Sequence, residues 1–169
     1  MIRILRIAYA LLVAIFISSC INEEMNDGEY VNVGDRIPDF SVEVSDGTTV
    51  TGKQLRKGIS FIMFFNTSCP DCQVTLPEAI KIYDEYIQKN VQFVFISRED
   101  NHASVSLYWK VNNIDLPYSA QATREIYNLF ASSRIPRVYI CADGIVKAIF
   151  TDNPNPTYAD MDSVLRELI

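Results

Sequence analysis

Apolar and polar positions divide the 169 residues into a short leader, a polar stretch and one long patterned region. Arg3 and Arg6 are followed by an unbroken apolar run of 11 residues, Ile7 to Ile17, and then by Ser18, Ser19 and Cys20. Such a run at 1.5 Å rise covers about 16 Å, too little to cross a hydrocarbon core of about 30 Å. A basic start, a short apolar run and small residues before a break describe a secretory signal peptide over residues 1–19. Residues 20–32 turn acidic and irregular, the composition of a tether.

From Val33 onward the pattern switches repeatedly between strand and helix signals. Asp39 to Val44 alternates as a strand, Asp46-Gly47 signals a turn, and Thr48 to Thr51 pairs back as a hairpin. Ile59 to Phe65 is nearly all apolar, as in a strand buried on both faces of a sheet. From Pro70 to Lys89 the period becomes helical, with Leu76, Ile80, Tyr83 and Ile87 spaced to share one face. Val91 to Ile96 is a second buried strand, and the strand–helix–strand order predicts a parallel pair with a right-handed crossover. His102 to Val111 predicts a short helix, Leu116 to Tyr118 a short extended piece, and Thr123 to Phe130 another short helix. Arg137 to Cys141 and Ile145 to Phe150 are strands joined by a turn at Ala142-Asp143-Gly144. Tyr158 to Leu168 closes the chain as a helix, with Met161, Val164, Leu165 and Leu168 at helical spacing. The expected fold is an α/β sandwich over residues 33–169: an N-terminal β-hairpin, then a central mixed sheet with helices on both faces.

Charge narrows the partners. Without Arg3 and Arg6, residues 20–169 carry 13 basic against 21 acidic side chains, a net charge of −8. Phosphate binding needs a basic face, so no nucleic-acid partner is expected. The four cysteines, Cys20, Cys69, Cys72 and Cys141, are too few for a disulfide-stapled scaffold, and the chain is long enough to build a proper core. Cys141 falls in an apolar strand and reads as a small apolar residue. His102, the single histidine, reads as a solvated side chain.

Cys69-Pro70-Asp71-Cys72 follows a buried strand and opens a helix, which gives this spacing a redox mechanism. A helix start presents unpaired N–H groups and partial positive charge, favouring thiolate at the first cysteine. Pro70 suits the first helical turn, where its missing N–H is not needed. Two intervening residues let the second thiol reach the first. Cys69 is therefore the expected exposed nucleophile, forming a mixed disulfide that a more buried Cys72 resolves. A carboxylate at Asp71 opposes thiolate formation and nudges the pair toward a reductant, or simply favours the helix start. Three other uses of the spacing are weaker. Zinc needs two more ligands and finds only His102 and Cys141, haem attachment needs a histidine where Gln73 stands, and a purely structural bridge across two residues gains little loop-closure entropy.

With Phe64-Phe65-Asn66-Thr67-Ser68 before it, the Cys69–Cys72 motif resembles the thioredoxin-like lipoproteins related to the envelope reductases TlpA and ResA. The resemblance covers about residues 33–169. Val33 to Phe40 resembles the opening those proteins share with peroxiredoxins, and Pro77 the proline that kinks the active-site helix. Ile135-Pro136 matches the family's cis-proline, which faces the cysteine pair and shapes the substrate groove together with Pro70 and Asp71. Asn101 to Tyr118 sits where the family carries an extra helix and strand. Three positions depart from the pattern: Ser68 replaces a usual tryptophan, Met63 a usual acidic or polar residue, and Thr75 the glutamate that moves protons at the buried thiol. Asp71 and Glu78 are the stand-ins for that glutamate. Peroxidase chemistry fits less well, because its Pro-x-x-x-Thr-x-x-Cys motif would need proline at Ile62 and threonine at Asn66.

Ile17-Ser18-Ser19-Cys20 also resembles a bacterial lipobox, which implies lipidation of Cys20 and a bacterial cell-envelope location facing periplasm or cell surface. The implied activity is thiol–disulfide exchange through a redox-active Cys69–Cys72 pair. It would reduce disulfide-bearing envelope proteins with electrons from a membrane donor, and no metal or organic cofactor is implied. A disulfide-forming oxidase and a redox-inactive binding module are the alternatives.

Overall fold

The computed structural model describes residues 30–169. The leader, Cys20 and most of the expected tether lie outside them. Val31 is buried, and the backbone N–H groups of Tyr30 and Val31 both donate to the Phe130 carbonyl at 3.0 Å. Ordered packing therefore begins before Val33, the expected edge of the domain, because an apolar side chain two residues earlier already reaches the core.

The hairpin forms as β1 (Ser41–Glu43) and β2 (Thr49–Thr51), paired antiparallel. The turn between them is closed by Asp46, whose carboxylate accepts from the Thr48 N–H at 2.8 Å. Directly after β2 comes a one-turn helix, α1 (Gly52–Leu55), capped by Thr51. A side chain at Gly52 would meet the Pro38 carbonyl at 2.3 Å, so only glycine allows the two backbones to approach.

The main sheet runs in the order β4-β3-β5-β6. Here β3 is Ile59–Phe65, β4 Val91–Ser97, β5 Arg137–Ala142 and β6 Ile145–Phe150. As the strand–helix–strand pattern requires, β3 and β4 are parallel, whereas β5 pairs antiparallel with both β3 and β6. The central strand β3 is buried at every residue after Ile59, which explains its unbroken apolar run. Asp143 and Gly144 both take positive φ in the β5–β6 turn, as a two-residue hairpin demands.

One face of the sheet carries α2 (Pro70–Tyr86) and α4 (Tyr158–Leu168), which pack against each other and are joined by a 2.5 Å hydrogen bond from the Tyr86 hydroxyl to Asp162. Phe61, Phe93 and Tyr83 cluster on this side, with ring centroids about 5 Å apart. The other face is covered by the rings of Phe40, Tyr127 and Phe130 against Phe64 and Tyr139. Between β4 and β5 the chain forms α3 (His102–Val111), whose Trp109 ring lies 5.0 Å from Phe65.

Three expectations change. The buried stripe of α2 is Cys72, Thr75, Leu76, Ala79, Ile82 and Tyr86, while Ile80, Tyr83 and Ile87 lie at its margin. Thr75 and Ala79 are fully buried, while Ile80 and Tyr83 pack against the edge of the core, Tyr83 with its ring 5.2 Å from Phe93. Thr123 to Phe130 forms only one 3-10 turn, Tyr127–Leu129. Its buried residues, Tyr127 and Phe130, lie close together in sequence, and the Tyr127 hydroxyl is drawn onto the Arg134 carbonyl at 2.6 Å. Leu116 to Tyr118 forms no strand; β4 gains a single bridge, at Ser119.

Candidate active site

The C-terminal end of β3 passes into α2 through Asn66, Thr67 and Ser68. This short loop is hydrogen-bonded at every residue. The Asp100 carboxylate accepts from the Asn66 amide at 2.8 Å and from the Thr67 N–H at 2.7 Å. Asn66 Oδ1 in turn accepts from the Ser68 N–H at 2.9 Å and from its hydroxyl at 2.6 Å. The Cys69 N–H donates to the Asn66 carbonyl. Both oxygens of one carboxylate thus fix the loop that delivers Cys69.

Cys69 is the N-cap of α2, and its sulfur accepts from the Cys72 N–H at 3.4 Å. An N-cap sulfur at a helix start receives N–H dipoles that favour negative charge. Pro70 fills the first helical position. Cys69 is partly exposed and Cys72 fully buried; both are thiols. Burial pushes the Cys72 thiol far up. The adjacent Cys69 thiol adds to this, while the Asn66 backbone and the positive charge of Arg98 act against it.

On the opposite side of Cys69 stands the loop before β5. The Ile135–Pro136 peptide is cis, and the Cys69 thiol lies 3.5 Å from the Ile135 carbonyl. Arg137 holds this loop from beneath. Its side chain is fully buried, and its guanidinium donates to the Ser133 carbonyl at 3.0 Å. A second cis peptide, Asn153–Pro154, shapes a loop beside Asp71, where the Asn155 amide donates to the Asp71 carboxylate at 2.9 Å.

The sequence-predicted residues Cys69, Pro70, Asp71, Cys72, Ile135 and Pro136 therefore converge at one end of the sheet, whereas Cys20 lies outside the described residues. Glu78 does not join them. It accepts from the Tyr158 N–H at 3.0 Å and pairs with Lys81, and these contacts hold its carboxyl below the usual range. Thr75, one turn beyond Cys72, has a buried hydroxyl without a hydrogen-bond partner among the described residues. Cys141 lies opposite Ser60 near the start of β3, five residues from the strand end that feeds the site, or about 16 Å. No disulfide spans that distance. Among the described residues no group of three or more His, Cys, Asp or Glu side chains forms a metal site.

Asp100, Asn155, Tyr127 and Arg137 were not singled out from the sequence, and Asn66 entered only as part of the motif and as a departure from the peroxidase pattern. Arg137 alone had a signal, a charged residue opening an otherwise apolar strand.

The AhpC/TSA family matches residues 33–149. The thiol-disulfide oxidoreductase ResA of Oceanobacillus iheyensis is 25% identical over 134 residues, covering 76% of this chain and 69% of that protein. Among solved structures, a thiol:disulfide interchange protein of the thioredoxin family from Chlorobium tepidum superposes with a TM-score of 0.68 at 23% identity, covering 81% of this chain and 97% of that one. The thioredoxin domain of a thiol-disulfide oxidoreductase from Bacteroides vulgatus gives 0.67 at 14% identity, with 82% and 99% covered. At these identities the structural likeness establishes a thioredoxin-like fold.

Proposed function

The chain belongs to the AhpC/TSA family of thioredoxin-like proteins, and on that premise we propose that it is a thiol–disulfide oxidoreductase working through Cys69 and Cys72. The observation that carries this reading is the asymmetric thiol pair at the start of α2: Cys69 partly exposed and capping the helix, Cys72 fully buried with its N–H on the Cys69 sulfur. Cys69 as thiolate attacks one sulfur of a substrate disulfide, forming a mixed disulfide and releasing the other sulfur as a thiol. Cys72 then gives up its proton and attacks the Cys69 sulfur. The substrate leaves as a dithiol, and Cys69–Cys72 becomes the disulfide. Two electrons pass from chain to substrate.

The cis Pro136 loop serves as the groove floor, leaving the Ile135 backbone beside the incoming chain. Asn66 is committed to Asp100 and Ser68, which supports disulfide exchange over peroxide chemistry at this position.

The direction is reductive. The substrates are disulfide-bearing proteins of the bacterial cell envelope, and a membrane donor restores the dithiol. Residues 1–19 act as a lipoprotein signal peptide, residues 20–32 as a tether, and lipid at Cys20 holds the domain to a membrane facing periplasm or cell surface. Among the described residues no helix is long and apolar enough to cross a membrane.

The deciding experiment is the equilibrium potential of the full chain against glutathione, with Cys69→Ser as control. A value below about −200 mV, lost in the variant, supports the reductase. A value near −120 mV would make the chain an oxidase, and no redox couple at all would leave a binding module.

A further inference from the structure

Helix α3 has two apolar sides. Val105 and Trp109, four residues apart, are buried, and the Trp109 indole donates to the Leu116 carbonyl at 2.9 Å. Leu107 and Val111, also four apart but half a turn round, are 62% and 68% exposed. The inner pair anchors the helix, so the outer pair is held in place without a partner among the described residues.

Leu107, Val111 and Tyr108 line an open cavity of about 360 Å³ whose far wall is Thr67 and Ser68, the two residues before Cys69. No charged side chain lines it, although 21% of the chain is charged. A second cavity of about 410 Å³ shares Tyr108 and Asn112 and continues between α2 and α3 past Pro77 and Ile80. Burial pushes the Tyr108 hydroxyl up, and the Cys72 sulfur adds to this.

We propose that Leu107 and Val111 form a docking shelf for apolar side chains flanking the target cysteine of a polypeptide disulfide. The proposal rests on the exchange chemistry assigned to Cys69. In the mixed disulfide the target sulfur is bonded at about 2.05 Å to the Cys69 sulfur. Residues one or two positions from the target cysteine then lie about 4–7 Å away along the partner chain. On the α3 side they pass Ser68, which adjoins Cys69 and lines the same cavity as Leu107 and Val111. A small charged disulfide such as oxidised glutathione finds no ionic partner there, whereas an aliphatic neighbour of the cysteine is removed from water. The partner is therefore an extended or unfolded polypeptide with leucine-like residues beside its cysteine.

The test uses the full chain and two synthetic peptides of equal length. Each carries one cysteine in mixed disulfide with glutathione, flanked in one peptide by leucines and in the other by serines. The expected result is about tenfold higher kcat/KM on the leucine peptide, equivalent to about 1.4 kcal/mol. In a Leu107→Asp, Val111→Asp double variant that ratio falls to about one. Equal rates with the unaltered chain, or an undiminished ratio in the double variant, would overturn the shelf. If neither peptide is reduced, the exchange reading of Cys69 and Cys72 fails on its own. The shelf is then decided by titration calorimetry with the same peptides carrying serine for cysteine: about tenfold tighter binding of the leucine peptide upholds it, and equal affinity rejects it.

Discussion

Cys72 and Cys141 have the same zero exposure, and burial pushes both thiols up, Cys141 to about 12. Their surroundings differ. Cys141 sits inside β5 opposite Ser60, with strands on both sides and, among the described residues, no second thiol within bridging range. Cys72 sits in the first turn of α2, three residues from a partly exposed thiol that its own N–H contacts. Burial alone therefore makes a thiol inert. A buried thiol becomes a resolving group when a reachable neighbour can first be joined to a substrate.

The largest effect should come from removing that neighbour. Cys69→Ser should lower reduction of a polypeptide disulfide by about a thousandfold or more, because a hydroxyl at this place is a far weaker nucleophile. Cys72 would then be left as shielded as Cys141. Alkylation with iodoacetamide should show this directly: the variant should take up label at neither buried site until it is unfolded, and early labelling of Cys72 would break the comparison.

Next in size is the loop that delivers Cys69. Asp100→Ala removes two hydrogen bonds, those to Asn66 and Thr67. The expected loss is about tenfold to a hundredfold in exchange rate, since displacement of a reacting atom acts on geometry rather than on thiol chemistry. Asp100→Asn keeps one acceptor oxygen and should recover part of the rate. A shift in potential without a change in rate would contradict a positioning role.

Alkaline unfolding separates the two buried thiols. An ordinary thiol ionises near 9.0, and in the fold both stay protonated above that pH. The unfolded chain then binds fewer protons than the folded one, so stabilisation that is complete below pH 9 is lost as pH rises toward the folded values. Each thiol contributes a fall of about 1.4 kcal/mol per pH unit. Urea midpoints from pH 8 to 11 should show a shallower decline in Cys141→Ala than in the unaltered chain.

The smallest effect is that of Cys141→Ala below pH 9. It should cost about 1 kcal/mol of stability, the loss of one buried sulfur, and leave exchange unchanged. A change in rate would give Cys141 a part in the chemistry.

The main sheet was legible because β3 and β5 and most of β4 are buried on both sides, so apolar runs such as Ile59 to Phe65 could be read directly. The cysteine pair was legible from its spacing, and Pro136 from family resemblance. Other features depend on contacts between distant residues. Asp100 meets the Asn66 loop across 34 positions, and nothing local to either segment announces the pairing. The full width of the buried stripe of α2 was not legible, because it includes the small, fully buried Thr75 and Ala79 beside the apolar row at Leu76, Ile80 and Tyr83. The segment from Thr123 to Phe130 was misread because side chains such as Tyr127 are spent on the loop at Arg134.

Asp100 also defines a seam in the chain. It is the last residue before Asn101, whose side chain caps α3 by accepting from the Ser104 N–H at 2.9 Å. A graft of a relative's insertion beginning at position 101 would leave the redox loop fastened. One beginning two residues earlier would carry the fastening away with the donor segment. The insertion can therefore be exchanged as a cassette, with its shelf and its partner preference, provided the splice falls after this one carboxylate.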